Sequence, residues 1–163
     1  MDKERRFIEE FALYFEKTGW LRMHGRILAW LLICDPPHQS FNDLVAILQT
    51  SKSAVSTSTR QLIRAGFIER ISFPGQRRDF YRLCPEFCSK SFGYFVGRME
   101  GLGKLTERGL KLLEGASPEC SKRLEEAHDI FMFISREMPI LLDQWKKRFQ
   151  EKNAAVRITP AKH

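Results

Sequence analysis

Long hydrophobic runs are absent from this chain of 163 residues. The longest, from Ile27 to Cys34, has eight residues, whereas a helix that crosses a bilayer needs about 20. The N-terminus also lacks the continuous apolar stretch of a secretory signal, because Glu9 and Glu10 interrupt it. We therefore expect a cytoplasmic protein that does not span a membrane.

Metal-binding and catalytic patterns are also missing. The four Cys and four His include no CxxC and no HxxxH pair, so neither a structural metal nor a disulfide framework is expected. The chain has no G-x-S-x-G, no phosphate-binding glycine loop and no H-E-x-x-H. The sequence therefore predicts no catalytic residue, no metal and no cofactor, and it argues against an enzyme.

The charge balance points to a phosphate-rich partner. Lys and Arg number 27 against 20 Asp and Glu, which gives a net charge of +7. A surplus of this sign favours nucleic acid first and an anionic membrane surface second. The length fits one domain of ordinary size with a full hydrophobic core.

Hydrophobic spacing is helical over most of the chain, which predicts a mainly α fold. Apolar residues in the last long helix recur in alternating steps of four and three, a seam suited to packing on another helix. Pro139 lies inside this helix, so a kink or break is expected near Met138. The predicted helices run from about Lys3 to Lys17, Leu21 to Cys34, Phe41 to Leu48 with Ser40 as cap, Lys52 to Ala65 with Val55, Leu62 and Ile63 inward and Gly66 as its stop, Lys90 to Leu113, and onward from Pro118 with Ser117 as cap. The second helix is apolar nearly all round in its second half, so it should be the buried centre of the domain.

The hydrophobic period changes to two after Gly66. Phe67 to Phe73 and Asp79 to Leu83 read as antiparallel strands joined by a basic loop. Two short helices followed by such a hairpin make a winged helix-turn-helix. The predicted parts are an N-terminal dimerisation helix (1–21), a winged DNA-binding domain (22–88), C-terminal dimerisation helices (89–152) and a basic mobile tail (153–163).

One face of the predicted fourth helix carries the functional signal. Short hydroxyls reach phosphates or base edges, and the arginine fork contacts guanine in the major groove. Between Ser51 and Arg82, seven Lys or Arg stand against two acids. The alternative is an ordinary solvated helix face. Four side chains step by four along this face: Lys52, Ser56, Arg60 and Arg64. Two hydroxyls lie beside them, those of Ser53 and Thr57.

These motifs carry a family resemblance. The runs Ser51-Lys52-Ser53-Ala54-Val55-Ser56, Gly66-Phe67-Ile68 and Gly75-Gln76-Arg77-Arg78-Asp79-Phe80-Tyr81 resemble MarR-type winged-helix repressors, most closely the GbsR branch. The resemblance implies a homodimeric bacterial transcription regulator whose fourth helices enter the major groove. Gln49 stands where many relatives carry Gly, and the wing lacks the Asp-x-Arg and Leu-Thr of the central pattern. The resemblance implies a groove-facing set of Ser51, Lys52, Ser53, Ser56, Thr57 and Arg60, with Arg77 and Arg78 as wing-tip contacts. The full predicted DNA-binding set adds Arg64 and Gln76.

Aromatic side chains raise the question of an effector. Trp20, Trp30, Phe92, Tyr94 and Phe95 could line a pocket between the winged domain and the dimer helices, although core packing also explains them. Cys84 and Cys88 are either redox sensors or small buried side chains.

Together these patterns predict a sequence-specific DNA-binding transcriptional regulator. We expect a repressor that binds a palindromic operator as a homodimer and is released by a small-molecule effector. Its predicted partners are double-stranded DNA and a second copy of itself. The alternative is a winged-helix protein-interaction adapter without DNA specificity.

Overall fold

The computed structural model describes residues 2–114 and 118–158. Within these ranges six α-helices accompany one small three-stranded antiparallel sheet, which confirms the mainly α winged-helix class. None of the described helices is long and apolar enough to cross a membrane. The elements are α1 (Asp2–Lys17), α2 (Arg22–Ile33), β1 (Gln39–Ser40), α3 (Phe41–Ile47), α4 (Lys52–Arg64), β2 (Ile68–Ser72), β3 (Asp79–Leu83), α5 (Phe87–Leu112) and α6 (Pro118–Ile158).

The chain divides into two compact units, residues 1–87 and 88–163. In the first unit α2 lies at the centre of the core, because its apolar side chains face inward over more than one turn. The expectation of a buried second helix is confirmed from Ile27 to Leu31, but it is wrong at the last turn, where Leu32 and Ile33 are exposed. The largest apolar side chains under 2% exposed are Phe67, Ile27, Leu28, Leu44, Leu62, Ile68 and Val55.

Helices α1 and α2 meet at a glycine. A Cβ atom added to Gly25 would lie 2.6 Å from the Ala12 Cα atom, and backbone at that distance cannot yield. The carboxylate of Glu9 closes the same contact with Arg22 at 2.9 Å and Arg26 at 2.8 Å. Burial raises the pKa of Glu9, but its hydrogen bonds to the two guanidinium groups outweigh this and leave the pKa below its ordinary value.

The sheet has the order β1-β3-β2. The predicted hairpin is present, with Ile68 opposite Leu83 and Ser72 opposite Asp79. Strand β1, which the sequence pattern does not predict, pairs its Ser40 with Phe80. Because β1 has two residues, it is too short to show any alternation.

In the second unit α5 and α6 touch through small residues. An added Cβ at Gly103 would lie 2.6 Å from the Met132 Sδ atom, and one at Gly109 would lie 2.6 Å from Leu124 Cδ2. Between these points the His128 Nδ1 atom lies 3.1 Å from both the Thr106 hydroxyl and the Gly103 carbonyl oxygen. The two helices are therefore locked by side chains that fit over glycines.

Helix α6 is longer and more continuous than expected. It passes through Pro139 without interruption, so the expected break near Met138 is wrong, because a proline removes one backbone hydrogen bond while the flanking turns keep theirs. The helix also extends to Ile158, beyond residue 153 where the predicted tail begins. Residues 159–163 of that tail, and Ser117 before the helix, lie outside the described residues.

Candidate nucleic-acid interface

Helix α3 leads into the turn before α4. The Ser40 side chain accepts a hydrogen bond from the Asp43 backbone N–H, and the Asp43 carboxylate accepts one from the Ser40 backbone N–H, which confirms Ser40 as the cap. The turn then places Gln49 at a φ of +48°. A side chain in this left-handed conformation costs about 1–2 kcal/mol, which explains why glycine suits this position.

Helix α4 is positioned by its own cap and by a narrow buried face. The Ser51 hydroxyl accepts a hydrogen bond from the Ala54 backbone N–H at 3.2 Å. Val55 and Leu62 are fully buried as predicted, but the prediction that Ile63 points inward is wrong, since it is 37% exposed. The helix ends before Gly66, whose φ of +72° confirms the predicted stop.

The opposite face of α4 carries the predicted DNA-binding side chains together. Lys52, Arg60 and Arg64 are exposed, and Ser56 is half-buried between them. The Arg60 Nε–H donates to the Ser56 carbonyl oxygen at 3.2 Å, which holds the guanidinium along the helix surface. The short polar side chains Ser51, Ser53 and Thr57 are exposed beside this row.

Of the seven cations between Ser51 and Arg82, two form ion pairs. Arg70 pairs with Asp79 at 3.3 Å, and Arg82 pairs with Glu69 at 2.6 Å. These pairs use both acids of the segment, so the other five cations have no ion pair within the described part of the chain. The five are Lys52, Arg60, Arg64, Arg77 and Arg78, and we call them the free cations.

The tip of the wing separates two neighbouring arginines. Gly75, with a φ of +78°, makes the turn, and Gln76, Arg77 and Arg78 are exposed. The Arg78 guanidinium lies 5.3 Å from the centroid of the buried Phe80 ring, a cation–π contact. Arg78 also lines a cavity of about 520 Å³ between the wing, α3 and the loop after α2. Arg77 makes neither contact with the described residues, and it is the freer of the two arginines.

The predicted effector residues fall in both units. Trp20 packs between Phe15 and Phe67, with ring centroids at 6.0 and 5.0 Å. Trp30 is half-buried against the same core. On α5, Phe92, Tyr94 and Phe95 are 43–47% exposed. The two tryptophans therefore contribute to packing, and the effector pocket stays a prediction.

The cysteines show no disulfide among Cys34, Cys84 and Cys88. Cys34 and Cys84 are buried and Cys88 is exposed, while burial raises the pKa of the Cys34 thiol. No group of three His, Cys, Asp or Glu side chains that could hold a metal ion occurs among the described residues. Redox sensing by Cys84 and Cys88 stays a prediction.

The sequence pattern does not predict one hydrogen bond between α2 and α4. The His24 Nε2 atom of α2 lies 2.8 Å from the Gln61 Oε1 atom of α4. The two residues are 37 positions apart, so no local spacing signals the contact.

Comparisons with known proteins agree with this geometry. One matching family model, described as MarR family, covers residues 18–79, and another, described as MmpR5-like MarR family transcriptional regulator, covers residues 92–148. The HTH-type transcriptional regulator MmpR5 of Mycobacterium tuberculosis (strain ATCC 25618 / H37Rv) is 36% identical over 145 residues, 89% of this chain and 88% of that protein. A crystal structure of a transcriptional regulator matches with a TM-score of 0.73 at 34% identity, over 89% of this chain and 99% of that one.

Proposed function

This chain belongs to the MarR family of transcriptional regulators, in its MmpR5-like group, and on that premise we propose that it is a repressor that binds a palindromic operator as a homodimer. DNA binding and transcription regulation come with the family. Repression, the palindrome and the dimer of this chain belong to the proposal. The resemblance to the GbsR branch stays a prediction, since neither matching model describes that branch.

The acid-free face of α4 carries the proposal. Its cations and hydroxyls are exposed on one side, and the wing adds Arg77 and Arg78. Because the two acids nearby are already bound to Arg70 and Arg82, the free cations keep their full attraction for phosphate. An adapter surface for proteins would be of mixed charge, so the observation favours DNA over the adapter.

The homodimer is supported by apolar surface that a single chain leaves uncovered. On α1, Phe7, Leu13 and Tyr14 are 38%, 43% and 69% exposed. On α6, the predicted seam ends in Leu141 and Trp145, which are 55% and 43% exposed. Exposed apolar area of this extent is typical of an interface. A twofold dimer would place its two reading helices about 34 Å apart, one duplex turn.

Sedimentation equilibrium tests the dimer. At micromolar concentration we expect a dimer mass without DNA, and a complex of two protein copies per duplex with DNA. A monomer mass under both conditions would reject the dimer and the palindrome together.

Selection of an operator tests DNA reading. The natural protein is used to select duplexes from a random pool, and the selected duplex is then titrated with Arg60→Ala. Loss of a bidentate base contact costs about 1–3 kcal/mol, so we expect roughly 5- to 150-fold weaker binding and relaxed sequence preference. Arg5→Ala, at an exposed position of α1, is the matched control. Unchanged affinity and preference in Arg60→Ala would reject the reading role.

Effector release is the remaining part of the proposal. An effector acts only through a difference in affinity between the DNA-ready state and another state. The probe set is a small library of quaternary ammonium compounds and aromatic acids, scored by tryptophan fluorescence and operator affinity together. If no compound moves both signals, the effector part of the proposal is wrong.

A further inference from the structure

We propose that His24 is a positioning residue for the DNA-reading helix, which it holds in place through Gln61. The inference rests on the proposed reading role of α4 and adds what orients that helix. Gln61 directly follows Arg60 in the sequence, so a bond that fixes the Gln61 side chain also fixes the helix turn that presents Arg60.

His24 is buried where three segments meet. It lies in the first turn of α2 and is 4% exposed. Its ring meets the Trp20 ring edge-on at 5.7 Å, and Trp20 packs on Phe67, the second residue after the α4 C-cap, Ala65. The bond to Gln61 then joins this packed ring directly to α4. An imidazole held on two sides has little freedom to follow a moving helix.

The hydrogen bonding of the His24 ring favours one tautomer. The Nδ1 atom of His24 is buried and has no hydrogen-bond partner within the described part of the chain. The proton therefore sits on Nε2 and is donated to the Gln61 amide oxygen. A doubly protonated ring would bury a charged N–H group without an acceptor, which is strongly unfavourable. The buried position of the ring therefore favours a neutral His24.

Protonation of Nδ1 would therefore destabilise the buried position of the ring. Burial lowers the pKa of His24 and outweighs the hydrogen bond to Gln61, which raises it. Since the folded pKa of His24 lies below the unfolded value near 6.5, the contribution of the neutral ring to the free energy of unfolding is complete above pH 6.5. This contribution falls as the pH drops below 6.5. Within the described part of the chain, His24 has no hydrogen bond to any charged side chain of α1, α2 or α4.

The residue next to His24 extends this link to α1. At Gly25 the backbone of α2 approaches the α1 backbone at Ala12 so closely that a Cβ atom would not fit. A displacement of α1 must therefore carry the first turn of α2 with it. Through the His24–Gln61 bond the same displacement reaches α4, so α1 and the reading helix move as one piece.

The test compares operator affinities of matched variants on the duplex selected by the natural protein. His24→Leu and Gln61→Met each delete the bond with little change in size. His24→Gln keeps an amide N–H donor near the original Nε2 position but cannot be protonated. His128→Gln, which removes a titratable ring in the other unit, is the control.

We expect His24→Leu and Gln61→Met each to weaken operator binding about 5-fold at pH 7.5, which corresponds to one hydrogen bond. The double variant should be no weaker than either single one, since both lose the same bond. His24→Gln should bind nearly as tightly as the natural protein. Between pH 7.5 and 5.5 the thermal midpoints of the natural protein and of His128→Gln should fall, and that of His24→Gln should fall less.

Three results would overturn the inference: unchanged affinity in Gln61→Met, additive losses in the double variant, or a pH dependence of the thermal midpoint in His24→Gln that is identical to the natural one. Concentrations are those of active protein from stoichiometric titration, and thermal midpoints are recorded beside them. If His24→Leu does not fold, Gln61→Met decides the question, because Gln61 is at an exposed position. If the natural protein selects no duplex, the proposed function fails instead.

Discussion

Arg77→Gln removes the wing-tip cation that has the fewest contacts. Arg77 is exposed, and within the described part of the chain its guanidinium has neither an ion pair nor a ring beneath it. Its neighbour Arg78 is held over Phe80. If Arg77 contacts a phosphate, its removal abolishes the release of one condensed counterion on binding.

The size of the effect follows from counterion release. Each phosphate contact contributes about −0.9 to the slope of log affinity against log salt. Without Arg77 the slope should become shallower by about 0.9, so over a fourfold rise in salt the variant should lose roughly 3.5-fold less affinity than the natural protein. The loss should be similar for all DNA sequences, because a phosphate contact carries no base information.

Fluorescence anisotropy with a labelled duplex between 50 and 200 mM salt provides the measurement. Arg82→Gln is the matched control, because Arg82 lies on the same wing but is already bound to Glu69 at 2.6 Å. We expect its slope to stay close to the natural one. A slope in Arg77→Gln that equals the natural slope, or equal changes in both variants, would refute the distinction between free and paired wing cations.

Three further predictions concern the first unit. In Glu9→Gln the thermal midpoint should be lower than natural at pH 7, and the difference should shrink as the pH falls below 4.5, because the stabilisation by a carboxylate with a lowered folded pKa is complete above the unfolded value and declines beneath it; a difference at pH 3 as large as that at pH 7 would contradict the ion-pair origin. Gly25→Ala should destabilise the protein by about 1–3 kcal/mol in denaturant titration, since the new methyl group meets the α1 backbone; an unchanged midpoint would mean that α1 is not packed there. Ser40→Ala should cost about 0.5–2 kcal/mol through loss of the α3 cap, with Thr57→Ala, at an exposed position within α4, as the comparison.

Local signals in the sequence were sufficient for the helix and hairpin order. Ser40 before an apolar stripe, and Gly66 after another, each act within a few residues, and both predicted ends are confirmed. The hairpin is predicted by alternation in β2 and β3, which needs no information from elsewhere. The same local signals place the polar face of α4 on the outside.

Features that depend on distant partners could not be read in the same way. β1 forms because Ser40 meets Phe80 across the sheet, and the His24–Gln61 bond joins two helices. Ile63 has the apolar character of a core residue, yet it lies outside the narrow contact strip of α4. Arg70 and Arg82 are likewise not free charges, because they pair across the strands with Asp79 and Glu69.

Helix α5 contains three glycines that lower the stability of the helix. A Cβ atom added to Gly93, Gly97 or Gly101 meets nothing within 4 Å. Each glycine inside a helix gives up roughly 0.5–1 kcal/mol relative to alanine, so a single copy of the chain forgoes about 1.5–3 kcal/mol of helix stability without any packing return. α5 is thus less stable than the same helix with alanine at these positions. Such substitutions would add this stability without altering a side chain of the first unit.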